Sequence, residues 1–233
     1  MINLVSVCTD NYSMVYANKL HRQFSNLTNL EVSHWCLTDR PSELLEFIKP
    51  IAPFKKSKGW WNKINLYSPH MPKGHILYMD LDIVLLKNFD EEIIEMTKRT
   101  ESMCCVSDAI GWMGERFSSS LMCFESGAHS KIYEYFENNE SKINSLEGGD
   151  QVWTGPQLGS VYYIDEDFPH MKKNLKFHLG KMRNNELQLP INISDEVKLV
   201  DCGGRPKPHE LEALPYIHKN WHLVRLNDEA SSI

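Results

Sequence analysis

A mixed, mostly parallel β-sheet flanked by helices is the fold class that three features of this sequence predict. Short apolar runs alternate with helix-spaced segments through the first hundred residues. Three of those runs end in turns rich in Asp and Thr, where an open α/β sheet places its ligand crevice. No repeat, low-complexity tract or convincing linker divides the 233 residues, so the chain reads as a single α/β domain.

The elements follow in order. Ile2 to Cys8 is a short apolar run that closes on Thr9-Asp10-Asn11, as a buried strand entering a polar loop does. Val15 to Phe24 has helical spacing, with Val15, Leu20 and Phe24 as the expected core contacts. Glu31 to Leu37 predicts a second strand ending in Thr38-Asp39-Arg40-Pro41, after which Ser42 is placed to cap a short helix containing Leu44, Leu45, Phe47 and Ile48. Trp60 to Tyr67 predicts a helix and Ile76 to Asp80 a third strand. Asp90 to Lys98 predicts an amphipathic helix whose acidic start suits its dipole. The second half is less regular: strands are expected over Met103–Val106, Leu121–Phe124, Val161–Ile164 and Val197–Val200, with a helix over Lys131–Asn138. Residues 1–100 are expected to hold the ligand-binding half, and residues 101–225 to complete the sheet and build a second side of the cleft.

Bulk composition excludes several classes. A hydrophobic fraction of 42% and a charged fraction of 24% are ordinary for a globular domain. Net charge is −6, so no global field recruits nucleic acid or an anionic membrane; one local run, Lys55, Lys56, Lys58 and Lys63, stands against that background. The six cysteines form no Cys-x-x-Cys unit and sit in apolar runs, as small buried hydrophobes in a reducing compartment do. No apolar run reaches about 20 residues and no signal-peptide pattern opens the chain. The expectation is therefore a cytoplasmic protein (a host cytoplasm, if the gene is a phage's).

The most informative segment is His75-Ile-Leu-Tyr-Met-Asp-Leu-Asp82, an apolar strand ending in two carboxylates spaced i, i+2. In an extended segment Asp80 and Asp82 would share one side, and such a pair of hard oxygens suits a divalent cation holding a diphosphate. With twelve aspartates in the chain, about 0.6 Asp-x-Asp triplets arise by chance, and Asp165-Glu166-Asp167 is a second one, in a solvated turn. Spacing alone therefore leaves open a pair of ordinary turn carboxylates. Asp150, beside Gly148-Gly149, is a candidate for base work in a cleft, with a helix N-cap as its plain alternative.

Six blocks in order, Cys36-Leu-Thr-Asp39, Gly59-Trp-Trp-Asn-Lys-Ile64, Leu77-Tyr-Met-Asp-Leu-Asp82, Phe117-Ser-Ser-Ser-Leu-Met122, Gly149-Asp-Gln-Val-Trp153 and Gly204-Arg-Pro-Lys-Pro208, resemble the GT-A-type glycosyltransferases. Within these the chain is most similar to the small bacterial and phage-like proteins of the glycogenin and lipopolysaccharide galactosyltransferase branch, from about Val5 to Trp221. The resemblance implies a Rossmann-like GT-A domain that takes a UDP-sugar as donor. Asp80 and Asp82 would bridge Mn²⁺ or Mg²⁺ to its diphosphate. Thr9, Asp10 and Tyr12 are expected near base and ribose, with Asp39 also on the nucleotide side. Lys63 is expected at the phosphates, and Ser118 and Ser119 at the sugar. Asp150 and Gln151 would close the cleft as the catalytic pair. Relatives often carry a histidine just before the Gly-x-Pro-x-Pro segment to complete the metal site. Here that position is Gly203, which leaves Asp201, Cys202, His178 or water for the third ligand.

The implied activity is metal-dependent transfer of a hexose to a hydroxylated acceptor, by default a glycan or lipid-linked saccharide. The Lys55–Lys63 run beside two tryptophans keeps a hydroxylated base in DNA as another acceptor. Gly203 keeps a catalytically degenerate nucleotide-sugar binder in view. A nucleotidyltransferase is disfavoured, because no Gly-rich phosphate loop follows the first strand.

Overall fold

The computed structural model describes residues 1–10, 12–99, 102–108 and 116–226. Its centre is a seven-stranded sheet, in the order β3-β2-β1-β4-β7-β6-β8. These strands are β1 (Ile2–Cys8), β2 (Val32–Thr38), β3 (Lys49–Ile51), β4 (His75–Met79), β6 (Met103–Ser107), β7 (Phe117–Glu125) and β8 (Val161–Tyr163). β1 pairs in parallel with β2 and β4, β2 with β3, and β6 with β8; only β7 runs against its neighbours. The fold class is the one expected, a mixed and mostly parallel sheet in a single domain.

Strand periodicity explains the two cores. Leu4, Leu77, Met79, Cys104, Leu121 and Cys123 face one side, whereas Val5, Ile76, Tyr78, Cys105, Met122 and Phe124 face the other. Both faces are buried, which is why these strands read as continuous apolar runs without a polar stripe. The first side is covered by α1 (Met14–Leu27) and α2 (Asp90–Thr97) together with a small sheet of β5 (Ile83–Leu85), β12 (Leu199–Asp201) and β9 (Lys172–Asn174). The second side is covered by a 3₁₀ helix, Gly59–Tyr67, with α3 (Ser130–Ile143) and α4 (Gly149–Thr154). All six cysteines are buried and free.

Some elements differ from the sequence expectation. Val15 is 41% exposed, because it lies about 140° around the helix from Leu20, which with Phe24 enters the core. Ser42 caps no helix: Pro41–Glu43 is a single 3₁₀ turn, and the Leu44–Ile48 segment is extended or turn. The side chain of Asn18 on α1 explains this, since it accepts from Leu45 N (3.1 Å) and donates to Glu43 O (2.8 Å) in place of helical bonds. The chain then enters β3, an edge strand too short to show a period. β5, β9 and the hairpin of β10 (Lys181–Arg183) and β11 (Glu186–Gln188) are likewise three residues each and invisible to pattern. α2 does begin on acidic residues, and Asp90 accepts from Thr28 Oγ1 (2.6 Å) and Asn29 N (2.8 Å), which holds its carboxyl below the usual range against the effect of burial.

A buried polar chain ties α1 to the sheet. Ser6 Oγ on β1 meets His21 Nε2 at 2.9 Å, and His21 Nδ1 meets His34 Nδ1 on β2 at 3.0 Å. One ring donates and the other accepts, so a second proton would set two N–H groups against each other. Burial, then the neighbouring His34, pushes His21 well below the ordinary histidine range, and burial lowers His34 to about 4. Histidines with depressed folded pKa values stabilise fully above the unfolded value of about 6.5 and lose that contribution as pH falls toward the folded values. The thermal midpoint of the wild type should therefore drop faster than that of His34→Gln between about pH 6.5 and 4. Parallel curves for the two proteins would show that His34 does not couple protonation to folding.

Candidate functional site

The site forms where β1 and β4 end. After Met79 the chain does not stay extended: Asp80, Leu81 and Asp82 make a tight turn closed by Ile83 N donating to Asp80 O at 3.2 Å. The two carboxylates therefore come together through a turn into β5, not through strand alternation. Both line a cavity of ≈ 720 Å³ with Thr9, Asp10 and Tyr12 from the β1 loop, and with Lys63, Trp60 and Lys207. Asp10 adopts a left-handed backbone (φ 57°), and its Oδ2 accepts from Gly59 N (3.0 Å) and Asn62 Nδ2 (3.2 Å), tying the β1 loop to the 3₁₀ helix. The neighbouring tryptophans split their roles: Trp61 is 5% exposed in the core, whereas Trp60 is 60% exposed on the cavity wall.

Each carboxylate is met by an ammonium group. Lys63 Nζ lies 2.8 Å from Asp80 Oδ1 and 3.9 Å from Asp150 Oδ2, and donates to Ser119 Oγ at 3.2 Å. Lys207 Nζ donates to Asp82 Oδ2, and Lys172 Nζ lies 2.6 Å from Asp201 Oδ2. Burial works against the Lys63 ammonium, but Asp150 and Asp80 outweigh it and hold its pKa above the ordinary lysine value. Burial, with Asp80 and Asp201 alongside, pushes Asp82 up to about 6. For Asp201, Lys172 and the Gly203 N–H overcome burial and keep the carboxyl ionised below its usual range. The cluster is thus crowded with negative charge that its lysines only partly offset.

A divalent cation is compatible with this donor set: Asp80, Asp82 and Asp201 supply hard oxygens, and burial, with repulsion from Asp80 and Asp201 added to it, raises the pKa of Asp82, a cost that a bound cation would offset. Among the described residues no three His, Cys, Asp or Glu side chains already converge as a cage, since each carboxylate is turned to its lysine. Cys202 is unsuited: burial, then Asp82 and Asp201, push its thiol far up and keep it protonated. Gly203 leaves room for Asp201, as a Cβ there would lie 3.0 Å from Asp201 Oδ1, which accepts from Gly203 N at 2.8 Å.

Asp80 also lines a second cavity of ≈ 240 Å³ with Asp108, Ser118, Gln151, Asp165, Asp201, Phe177 and His178. His178 Nδ1 accepts from Asn174 N (3.0 Å), which in the neutral ring leaves the proton on Nε2 and no lone pair for a metal. Gln151 accepts from Ser119 N (3.2 Å) and donates to Asp108 Oδ2. Asp150 is 7% exposed, lines neither cavity and is no N-cap, because Gly148 holds that position. Its buried carboxylate instead anchors Lys63. Asp39 also lies off the cavity lining, paired with Lys56 at 2.9 Å. Sequence reasoning assigned no role to Lys172 or Lys207; the only signal for Lys207 was its place between two prolines.

No protein-family model matches the chain, and no curated protein matches it by sequence. Solved structures do. The galactosyltransferase LgtC, solved with donor and acceptor sugar analogues, superposes with a TM-score of 0.66 at 14% identity, covering 97% of this chain and 98% of that one. The glycosyltransferase GlyE of Streptococcus pneumoniae TIGR4 gives 0.64 at 12% identity over 96% of this chain and 63% of its own. The bifunctional glycosyltransferase WbbM gives 0.58 at 11%, over 93% and 48%.

One glycine is checkable without any ligand. Gly149 has φ +73°, and a Cβ there would lie 2.7 Å from Trp60 Nε1. Gly149→Ala should cost about 1–3 kcal/mol and shift the tryptophan emission as the indole is displaced. Unchanged stability and emission would show that Trp60 is not held by this contact. At this level of identity the neighbours establish the fold, and the chain has the GT-A glycosyltransferase fold.

Proposed function

We propose that the chain is a divalent-cation-dependent glycosyltransferase that moves a hexose from a UDP-sugar to a hydroxyl of a glycan or lipid-linked saccharide. The observation that carries this reading is the position of Asp80, which forms a wall shared by the larger and the smaller cavity. Two substrate-sized spaces meeting at one carboxylate turn suit the transfer of a group from one ligand to another. Residues 1–100 would hold the donor and residues 101–225 the acceptor side. In the larger cavity Thr9, Asp10 and Tyr12 would meet base and ribose. In the smaller one Ser118 and Gln151, with Ser119 behind them, would bound the sugar.

In the reaction the bond from the anomeric carbon to the β-phosphate oxygen breaks, and UDP leaves with the electron pair. The acceptor oxygen bonds to that carbon, and its proton passes to a base or to the departing phosphate. A cation held by Asp80, Asp82 and Asp201 would supply electrostatic stabilisation of the leaving diphosphate. Lys63 and Lys207 bring two further positive groups to the same wall, in reach of the charge that develops on UDP. Asp150 would act through Lys63 as a positioning residue. The lysine run that favoured a DNA base is largely compensated, with Lys55 at 3.1 Å from Glu140 and Lys56 paired to Asp39, so a saccharide acceptor is the better supported.

The wild type should gain thermal stability with UDP only when Mn²⁺ or Mg²⁺ is present, by about 2.7 kcal/mol at 100 times the dissociation constant. It should also release UDP from a UDP-hexose. Asp80→Asn should lose both effects, and Asp201→Asn should raise the Mn²⁺ concentration needed. Full UDP release by Asp80→Asn would overturn the metal assignment, and UDP binding without turnover across donors and acceptors would point to a non-catalytic binder.

A further inference from the structure

Trp60 is an indole that the fold leaves without a partner. Among the described residues, Trp35 has the Lys49 ammonium 4.9 Å from its ring centroid, Trp61 stacks on Phe136, Trp153 stacks on Tyr135, and Trp221 packs against Tyr16 and Lys19. No described ring or cation lies against Trp60, which is 60% exposed and lines the larger cavity. An aromatic face left to water forgoes the burial through which tryptophan stabilises a fold.

The plate is nonetheless held in place. It stands at the start of the 3₁₀ helix Gly59–Tyr67, and such a helix brings the side chains at i and i+3 into one row, about 6 Å apart along the axis. Trp60, Lys63 and Leu66 make such a row from the cavity mouth to the core, with Lys63 Nζ 2.8 Å from Asp80 and Leu66 fully buried. Before the row, Gly59 takes φ +56° and its N–H donates to Asp10 Oδ2 (3.0 Å). Asn62 Nδ2 fixes the same turn by donating to Ser57 O (2.7 Å) and Gly59 O (3.1 Å). On the other side the pyrrole part of the indole rests on Gly149, where a Cβ would lie 2.7 Å from Nε1, 2.9 Å from Cε2 and 3.1 Å from Cδ1. Gly149 opens α4, whose Gln151 lines the smaller cavity and whose Asp150 lies 3.9 Å from Lys63. The indole therefore stands at the seam between the first half of the chain and the second.

We propose that Trp60 is the platform on which a pyranose ring of the acceptor stacks, one 3₁₀ step outward from the Lys63–Asp80 pair. The nucleotide would take the Thr9–Tyr12 side of the larger cavity and leave the Trp60–Gly149 side to this ring. One face of a β-galactoside or β-glucoside is an unbroken patch of C–H groups with slight positive charge, and the indole face is negative, so burial and the ring quadrupole act together. The acceptor unit is thus a closed pyranoside with such a face, and not an open-chain polyol or an isolated lipid hydroxyl. The inference rests on the transferase reading for the place of the donor.

Indole and backbone ¹H–¹⁵N resonances would test it, with the Trp60 indole signal identified by its loss in Trp60→Leu. In the protein saturated with UDP and Mg²⁺, methyl β-galactoside and methyl β-glucoside should move the Trp60 signal and the Gly149 and Gln151 amides along one saturable curve. Galactitol, which keeps the hydroxyls of galactose but has no ring, should move none of them. Read at Gly149 and Gln151, the galactoside dissociation constant should rise about tenfold or more in Trp60→Leu and about threefold or less in Trp60→Phe. Both variants should keep the stabilisation that UDP gives the wild type, which shows that they are folded. An unmoved Trp60 signal with either hexoside, an unchanged constant in Trp60→Leu, or equal binding of galactitol would overturn the proposal. A Trp60 signal that UDP moves and sugars do not would also overturn it, by giving the indole to the base of the donor. So would 5-hydroxymethyl-2′-deoxyuridine binding at Trp60 more tightly than either hexoside, in favour of a DNA-base acceptor. Failure of UDP to shift the Asp10 and Lys63 amides would instead overturn the donor reading, and the galactoside titration without UDP would still decide the stacking.

Discussion

Charge balance at the ends of β1 and β4 is the constraint on which the rest of the site depends. Asp80, Asp82, Asp150 and Asp201 are drawn together by three different segments, and three of them are less than a tenth exposed. Such a cluster is costly unless cations meet it. Lys63 comes from the 3₁₀ helix, Lys207 from the loop after β12, and Lys172 from β9, so the neutralising groups staple those segments to the sheet end. The same residues that make the pocket electrically tolerable thus fix its walls.

This arrangement also sorts the roles of the carboxylates. Asp80 faces both cavities and stays partly accessible, whereas Asp150 is spent on Lys63 from behind. Asp201 Oδ1 accepts from Gly203 N, and a Cβ at position 203 would press against that same oxygen at 3.0 Å. Buried pairs of this kind contribute little net stability against an apolar alternative. Of these carboxylates Asp80 lines both cavities, Asp82 the larger and Asp201 the smaller.

The two cavities differ in character along the same line. The larger opens between the exposed indole of Trp60 and the ion-paired Lys63 and Lys207. The smaller is lined mainly by side-chain oxygens, closed on one side by Lys172 and Asn174 of β9 and by Phe177 and His178 of the turn after it. That side belongs to the irregular second half of the chain.

What the sequence determined by itself was the layered sheet and its busiest edge. Runs such as Ile2–Cys8 and His75–Met79 are apolar on both faces because both are covered, and that pattern is legible without coordinates. The Asp80 and Asp82 carboxylates and Lys63 could be singled out from their neighbours, although the turn that joins the carboxylates and the opposite exposures of Trp60 and Trp61 could not. Only the tertiary structure decided which groups meet them. Lys172, Lys207 and Asp201 lie about a hundred residues or more from Asp80 in the chain and arrive through three-residue strands and loops that leave no periodic trace. Burial of Asp150, the proton position on His178 and the outward turn of Val15 depend on what packs against each side chain. Local pattern records which faces are apolar; ion pairing and accessibility are set by contacts between segments distant in sequence.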